Sequence, residues 1–260
     1  MKVHFDKYQG TGNDFIIIDN RALEFPKGDS VMISNLCNRN FGIGADGLIL
    51  LENDEAADFR MVHFNSDGNQ SSMCGNGGRC IVHYAQKQNI INSKAEFTAI
   101  DGVHTATIAG NDVRLSMNDV ANIELSKENA YMNTGSPHYL LWYSDLDNLN
   151  IIERAREIRY NKQFSEIGTN VNFLNYKNGI IEMRTYERGV EAETLSCGTG
   201  MVAAALFAFL SEKIPDGNEC LIRTKGGETK VSFNPIGNGA FSDICLSGPA
   251  DLVFNGEINV

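Results

Sequence analysis

Hydrophobic and polar positions alternate over residues 3–8, break at Gln9-Gly10-Thr11-Gly12 and resume over 14–19, which predicts a β-hairpin. Asp29 or Ser30 is placed to cap a helix over 31–38, and a Gly-rich stretch at 42–47 leads into a strand at 48–51. A strand at 59–64, a helix at 75–88 and strands at 96–100, 103–108 and 113–117 follow. The order then returns. Residues 131–135 lead into a strand at 138–143, then come a helix at 149–160, strands at 171–176 and 180–186, a helix after Cys197, and strands at 221–223, 229–233 and 241–246. Residues 201–210 (MVAAALFAFL) are apolar almost all round, as a helix enclosed by other elements must be.

Spacing makes this return a duplication. A constant 123 residues separates Cys74 from Cys197, Gly12 from Gly135 and Gly47 from Asn170. Two similar α/β lobes are therefore expected, related by a pseudo-twofold and meeting at a cleft. The first covers 1–118 and is completed by a last strand at about 250–260; the second covers 119–249, with the boundary near 118–124. Strands dominate and crossovers are short, so each lobe reads as a barrel-like mixed sheet (α+β in character) around one apolar helix, not a doubly wound parallel sheet.

The chemistry gathers at two equivalent turns. A strand enters a polar loop that ends in Cys-Gly-x-Gly before a helix, once at Cys74 and once at Cys197. A thiol at a helix N-terminus sits beside backbone N–H groups and the positive end of the macrodipole, which favour thiolate and lower its pKa from ~8.5. The glycines let consecutive N–H groups converge on an anion, so each turn can hold a base and part of a carboxylate cradle. Two such ends facing one substrate carboxylate would put a sulfur on either side of its α-carbon, the layout that inversion of a stereocentre requires.

Composition narrows the classes. A formal net charge of −11 argues against a nucleic-acid surface and against anionic membranes. No charged leader with an apolar stretch behind it opens the chain and no run of about 18 apolar residues occurs, so a soluble, cytoplasmic protein is expected. The six cysteines include no C-x-x-C pair and no histidine pair stands at ligand spacing, so neither a disulfide framework nor a metal site is expected. Cys37, Cys80, Cys220 and Cys245 read as packing residues, as do His4, His63, His83 and His104, some of which fit the surface equally well. The 42–47 stretch lacks the Lys-Ser/Thr ending and following helix of a nucleotide loop.

Seven motifs in order give the chain a family likeness: GTGNDF (10–15), NRNFGIGADGL (38–48), FNSDG with CGNGGRC (64–80), TGSPH (134–138), TNVNF (169–173), YERG with CGTG (186–200) and SGPADLVFNGEI (247–258). In these the chain resembles the diaminopimelate epimerases essentially end to end. The resemblance implies interconversion of LL- and meso-diaminopimelate in lysine and peptidoglycan precursor biosynthesis, with no cofactor, by a homodimeric cytoplasmic enzyme. It implies Cys74 and Cys197 as the two bases and the amides of Gly75, Asn76, Gly198 and Thr199 as the carboxylate cradle. Asn13, Asn65, Asn170 and Arg188 match substrate-binding positions, largely at the distal end, and Glu187 and His138 match positions near the reacting centre, where either tunes a catalytic group.

Three departures stand out: Ser136 where the family often has Asn, Gly47 where some members have Gln, and a loop from Glu187 to Cys197 one residue longer than the common form. Two rivals stay open. A proline-type racemase of the same two-thiol kind would have little use for Asn170 and Arg188. A phenazine-biosynthesis-like isomerase or a binding module on the same scaffold need not keep both cysteines.

Overall fold

The chain opens on a hairpin, β1 (Lys2–Gly10) and β2 (Asn13–Asp19), closed by a two-residue turn in which Thr11 has φ 51° and Gly12 φ 82°. Two positive φ angles are what a type I′ turn needs, and its twist matches that of the strands it joins. The turn thereby places Asn13 at the first position of β2, opposite Gly10. The computed structural model describes residues 1–214 and 217–260 and divides into two units, Met1–Leu115 with Gly248–Val260, and Ser116–Ser247.

In the first unit the hairpin is followed by α1 (Ser30–Cys37), β3 (Gly47–Glu52), β4 (Phe59–Asn65), β5 (Gln70–Ser71), α2 (Gly75–Lys87), β6 (Lys94–Ala99), β7 (Gly102–Ala109) and β8 (Asp112–Ser116). β2 and β3 run parallel across α1, and β4 and β6 run parallel across α2, while the hairpin neighbours are antiparallel. The sheet order is β1-β2-β3-β4-β6-β7-β8, with β5 also on β4. Helix α2 packs on β1, β2 and β3 at one end of that order and on β7 near the other, so the sheet curls round it. Every residue of α2 from Gly75 to Ala85 is buried. On the outer face Ile33 and Leu36 of α1 pack with Ile16, Ile18, Leu48, Leu50, Val62 and Phe64. Because β3 is covered on both faces, its residues 48–51 (LILL) form a continuous apolar run instead of an alternation.

The second unit repeats the plan: β9 (Glu124–Leu125), β10 (Asn129–Asn133), β11 (Pro137–Trp142), α3 (Ile151–Arg159), β12 (Asn170–Lys177), β13 (Ile180–Glu187), β14 (Ala192–Thr194), α4 (Gly198–Leu210), β15 (Glu219–Thr224), β16 (Gly227–Gly237) and β17 (Ala240–Pro249). Parallel pairing again spans the crossovers, β11 with β12 across α3 and β13 with β15 across α4. Met201 to Ala208 of α4 is wholly buried against Leu140, Leu174, Ile181, Ile222, Val231 and Leu246. At about 2 kcal/mol for each large apolar side chain taken out of water, Leu206 and Phe207 fix this helix firmly. The last strand, β18 (Asp251–Asn259), pairs antiparallel with β1 in the first unit.

Each unit is thus a mixed sheet wrapped round one helix, the α/β class expected. One local expectation changes. Residues 129–133 form a strand, not merely a lead-in, because Ala130 and Met132 alternate inward against more exposed neighbours and pair with β11. No helix among the described residues is long and apolar enough to cross a membrane.

Candidate active site

Each of the two turns ends with cysteine as the N-cap residue of an enclosed helix. Cys74 (φ −97°, ψ 129°) precedes α2 and Cys197 (φ −134°, ψ 112°) precedes α4, both in extended backbone. Asp29, at the same position before α1, spends its carboxylate on the Met32 N–H, 2.9 Å away; neither cysteine side chain makes such a cap bond. The sulfurs therefore stand at positive helix ends without being part of the capping. Burial pushes the thiols of Cys37, Cys80 and Cys220 up to about 12.

In the first unit an ionic cluster aims one amide at Cys74. Asp14 receives Lys7 at 2.7 Å and Arg39 through two nitrogens at 2.9 and 2.7 Å. Burial alone would raise the Asp14 pKa, but the hydrogen bonds from Arg39 and Lys7 hold it well below the usual carboxylate range. Arg39 also binds Asp46 at 2.7 Å, and Asp46 Oδ2 accepts Asn13 Nδ2 at 2.7 Å. That fixes the Asn13 amide, whose Oδ1 faces Asn76 Nδ2 at 3.2 Å and Cys74 Sγ at 3.6 Å. Lys7 closes the cluster by donating to the Gly44 carbonyl.

Arg79, one turn into α2, was not foreseen. Its side chain is 0% exposed and is held by neutral oxygens: Gly75 O at 3.3 Å, Thr11 Oγ1 at 3.2 Å and Pro249 O at 3.5 Å. No carboxylate forms an ion pair with it among the described residues. Burial pulls its pKa down, while Cys80, Cys74 and Asp112 pull it back up, so its field reaches the Cys74 sulfur. Arginine keeps its proton in such places, which makes Arg79 a buried cation behind the first turn.

In the second unit His138 is fully buried and directly opposite Asn170 in the β11–β12 register. Its Nε2 lies 2.9 Å from Thr199 Oγ1 and 3.4 Å from Asn170 Nδ2, and its Nδ1 lies 3.0 Å from Asn172 Nδ2. Thr199 Oγ1 in turn lies 3.6 Å from Cys197 Sγ. Asn170 Oδ1 accepts the Arg188 N–H at 2.8 Å and its Nδ2 donates to Ser136 Oγ at 3.0 Å, so the hydroxyl at the Ser136 departure serves this network. The Arg188 side chain is exposed, with Nη1 on Ile167 O at 3.1 Å. Burial, aided by the Arg188 charge, pulls His138 down to about 3 against the hydrogen bond from Asn172, so the ring is neutral.

A depressed histidine pKa stabilises the fold fully above its unfolded value of ~6.5 and loses that contribution as pH falls toward the folded value. Denaturant unfolding at pH 7 and pH 5 should therefore differ by about 2 kcal/mol more in the parent than in His138→Gln. Equal differences in the two proteins would mean that His138 takes up a proton in the fold.

The remaining expected residues fall into place less tightly. Gly75 and Gly198 open the two helices; Asn65 is exposed at the end of β4, and Glu187 is half-buried at the end of β13, opposite Ala192. A Cβ on Gly47 would lie 2.7 Å from Phe64 O and 3.0 Å from His63 Nε2, which leaves no room for a side chain without movement. The long loop before Cys197 is ordered by Glu191, which binds Arg159 at 3.0 Å and Tyr160 Oη at 2.8 Å, and by Glu193, which binds Arg184 at 2.7 and 2.9 Å. Asn172 is the other residue that sequence reasoning missed. The signal was there: Asn at both 170 and 172 of a strand puts two amides on one face.

The fold, two helix-wrapping mixed sheets, is one seen in solved structures. It matches a phenazine biosynthesis protein of the PhzF family from Bacillus anthracis (TM-score 0.77, 15% identity, 100% of both chains) and a hydroxyproline epimerase from Agrobacterium vitis (TM-score 0.69, 14% identity, 99% of this chain and 92% of that one). The family profile described as diaminopimelate epimerase matches residues 5–123 and 130–253. Diaminopimelate epimerases of Flavobacterium psychrophilum (50% identity over 254 residues, 97% of this chain and 98% of the relative) and Chlorobaculum tepidum (41% over 261 residues, 96% and 99%) are similar along their whole length. The chain belongs to the diaminopimelate epimerase family and is thus an enzyme, an isomerase.

Proposed function

We propose that this enzyme interconverts LL- and meso-2,6-diaminopimelate without a cofactor, with Cys74 and Cys197 as bases on opposite faces of one α-carbon. The observation that carries the reading is the repeated N-cap cysteine: the same residue, in extended backbone, at the mouth of an enclosed helix in both repeats. One sulfur, as thiolate, removes the α-proton; the other, as thiol, delivers a proton from the far side. Which is ionised depends on the isomer bound, and the pair titrates as a coupled unit. The carbanion is stabilised by amides of Gly75, Asn76, Gly198 and Thr199 at the substrate carboxylate, in a site that excludes water. Arg79 adds a buried positive charge on the Cys74 side, and Asn13 orients that thiol.

At the substrate's distal end the roles of Asn65, Asn170 and Arg188 follow from chemistry: a guanidinium fork suits a second carboxylate, and amides read both ammonium and carboxylate. Glu187 can accept from the α-ammonium. Replacing Arg188 by Ala should raise KM for diaminopimelate about 10- to 100-fold, the value of a charge-assisted pair, with stability changed by less than about 0.5 kcal/mol because the side chain is exposed. An unchanged KM would remove Arg188 from the site.

The experiment for the whole reading is incubation of reduced protein with LL-diaminopimelate, followed by separation of stereoisomers, with proline in parallel. Accumulation of meso-diaminopimelate and no change in proline is expected; inversion of proline alone would assign a proline-type racemase instead. A cytoplasmic homodimer working in lysine and peptidoglycan precursor biosynthesis belongs to the same reading and is supported by the family likeness. Sedimentation at micromolar concentration checks the dimer.

A further inference from the structure

Hydrogen-bond bookkeeping around His138 has only one solution. Among the described residues three groups face its ring nitrogens: Asn172 Nδ2 at Nδ1 (3.0 Å), and Thr199 Oγ1 (2.9 Å) and Asn170 Nδ2 (3.4 Å) at Nε2. The two amide nitrogens can only donate, so Thr199 Oγ1 is the single acceptor available to a ring N–H. Neither amide can turn round. Asn172 Nδ2 also donates to the Tyr139 carbonyl at 3.2 Å, while its Oδ1 accepts the Thr185 hydroxyl at 3.0 Å; Asn170 Oδ1 is held by the Arg188 N–H at 2.8 Å.

We propose that Asn172, held by Thr185, is a positioning residue that fixes His138 as the neutral Nε2–H tautomer and so leaves the Thr199 hydroxyl proton for the Cys197 sulfur. His138 cannot accept that proton because Nε2 carries its own. The hydroxyl accepts from His138 and donates onward over 3.6 Å to Sγ, which favours the thiolate at Cys197. Arg188 is the charged group whose field reaches the ring, and it too opposes an imidazolium. Packing is built to this arrangement: a Cβ on Gly200 would lie 2.9 Å from Asn172 Oδ1, 3.2 Å from His138 Cε1 and 3.3 Å from Cys197 Cβ. On this account His138 is a fixed donor and not a general base toward Cys197.

The inference rests on the epimerase reading only for its consequence in turnover, so the tests are read separately. In full-length reduced protein labelled with ¹⁵N-histidine, the His138 signal, assigned by its loss in His138→Gln, should show Nε2 protonated and Nδ1 bare from pH 5 to 9. Asn172→Asp presents an acceptor to Nδ1 and should move the proton there. Nε2 then accepts a hydrogen bond from the Thr199 hydroxyl, and the pH at which Cys197 becomes alkylated, followed by peptide mass spectrometry, should rise by about one unit, with kcat falling about tenfold below it. Gly200→Ala, which displaces Asn172 without changing its chemistry, should move both readouts the same way. An Nδ1–H ring or an imidazolium at pH 7 in the parent protein would overturn the assignment whether or not any variant folds. A reversed tautomer with unmoved Cys197 alkylation would overturn the link to the sulfur. The expected tautomer and alkylation shift in a protein that does not invert diaminopimelate would leave this inference standing and sink the proposed function.

Discussion

Cys74→Ala and Cys197→Ala are each expected to slow epimerisation of diaminopimelate by about 10³-fold or more, since in the proposed mechanism either change removes one of two proton-transfer groups acting on the same carbon. The loss must be symmetric in a way ordinary site damage is not. With one sulfur gone, a proton can be taken from one face but none is delivered to the other, so inversion fails in both directions. The fold should survive. Neither sulfur caps its helix, and each backbone is extended and acceptable to alanine, so thermal unfolding should shift by no more than about 1 kcal/mol in stability. Isomer separation after incubation with each stereoisomer, with melting curves on the same samples, decides the matter. An alanine variant with a tenth of parent activity would break the two-base assignment.

Arg79→Met should have the next largest effect. The guanidinium is fully buried, and its partners are two carbonyls and a hydroxyl, none of which neutralises it. In the proposed mechanism a thiolate at Cys74, which the Arg79 field reaches, would offset that charge. An opposite charge nearby is worth about 1–3 pKa units to an anion. Removing it should raise the pH at which Cys74 becomes alkylated by at least about one unit and lower activity at pH 7 by about 10- to 100-fold. Loss of Arg79 also removes its hydrogen bonds to Gly75 O and Thr11 Oγ1, so some destabilisation is expected. The diagnostic is the alkylation profile of Cys74, which a purely structural role would leave where it was.

Much of this was legible from the residues, and what was hidden was hidden for physical reasons. Helix α4 announced itself as enclosed because residues 201–210 are apolar all round. Helix α2 is enclosed just as completely from Gly75 to Ala85, yet its run includes Asn76, Arg79 and His83. Those polar groups find partners on neighbouring elements, Thr11 for Arg79 and Tyr8 Oη at 3.3 Å for His83, and hydropathy does not see partners that distant in sequence. The short strands β5 and β14 escaped notice because two or three residues carry no period to read.

The site divides in the same way. Cys74 and Cys197 stood out because a repeated Gly-flanked turn is a local pattern. The charges that aim Asn13 at Cys74 come from Lys7 on β1, Asp14 on β2 and Arg39 and Asp46 in the loop before β3, and the pairing of β2 with both β1 and β3 gathers them. Asn172 and Thr185 meet because β12 and β13 pair in that register, Asn172 opposite Thr185. Likewise Ser136, a departure when only identities are compared, is explained once Asn170 is seen to donate to its hydroxyl.

The central claim is that two sulfurs, each in exchange with solvent, act on opposite faces of one α-carbon. Its most direct test is to incubate the reduced enzyme with LL-diaminopimelate in deuterated water and follow stereochemistry and the α-proton signal together by NMR. The account predicts that the first meso-diaminopimelate formed carries deuterium at the inverted carbon while unreacted LL isomer still carries hydrogen. Deuterium entering the LL pool as fast as meso isomer appears would mean one base serving both faces, and no exchange or inversion at all would mean that the two thiols are not the bases of an epimerase.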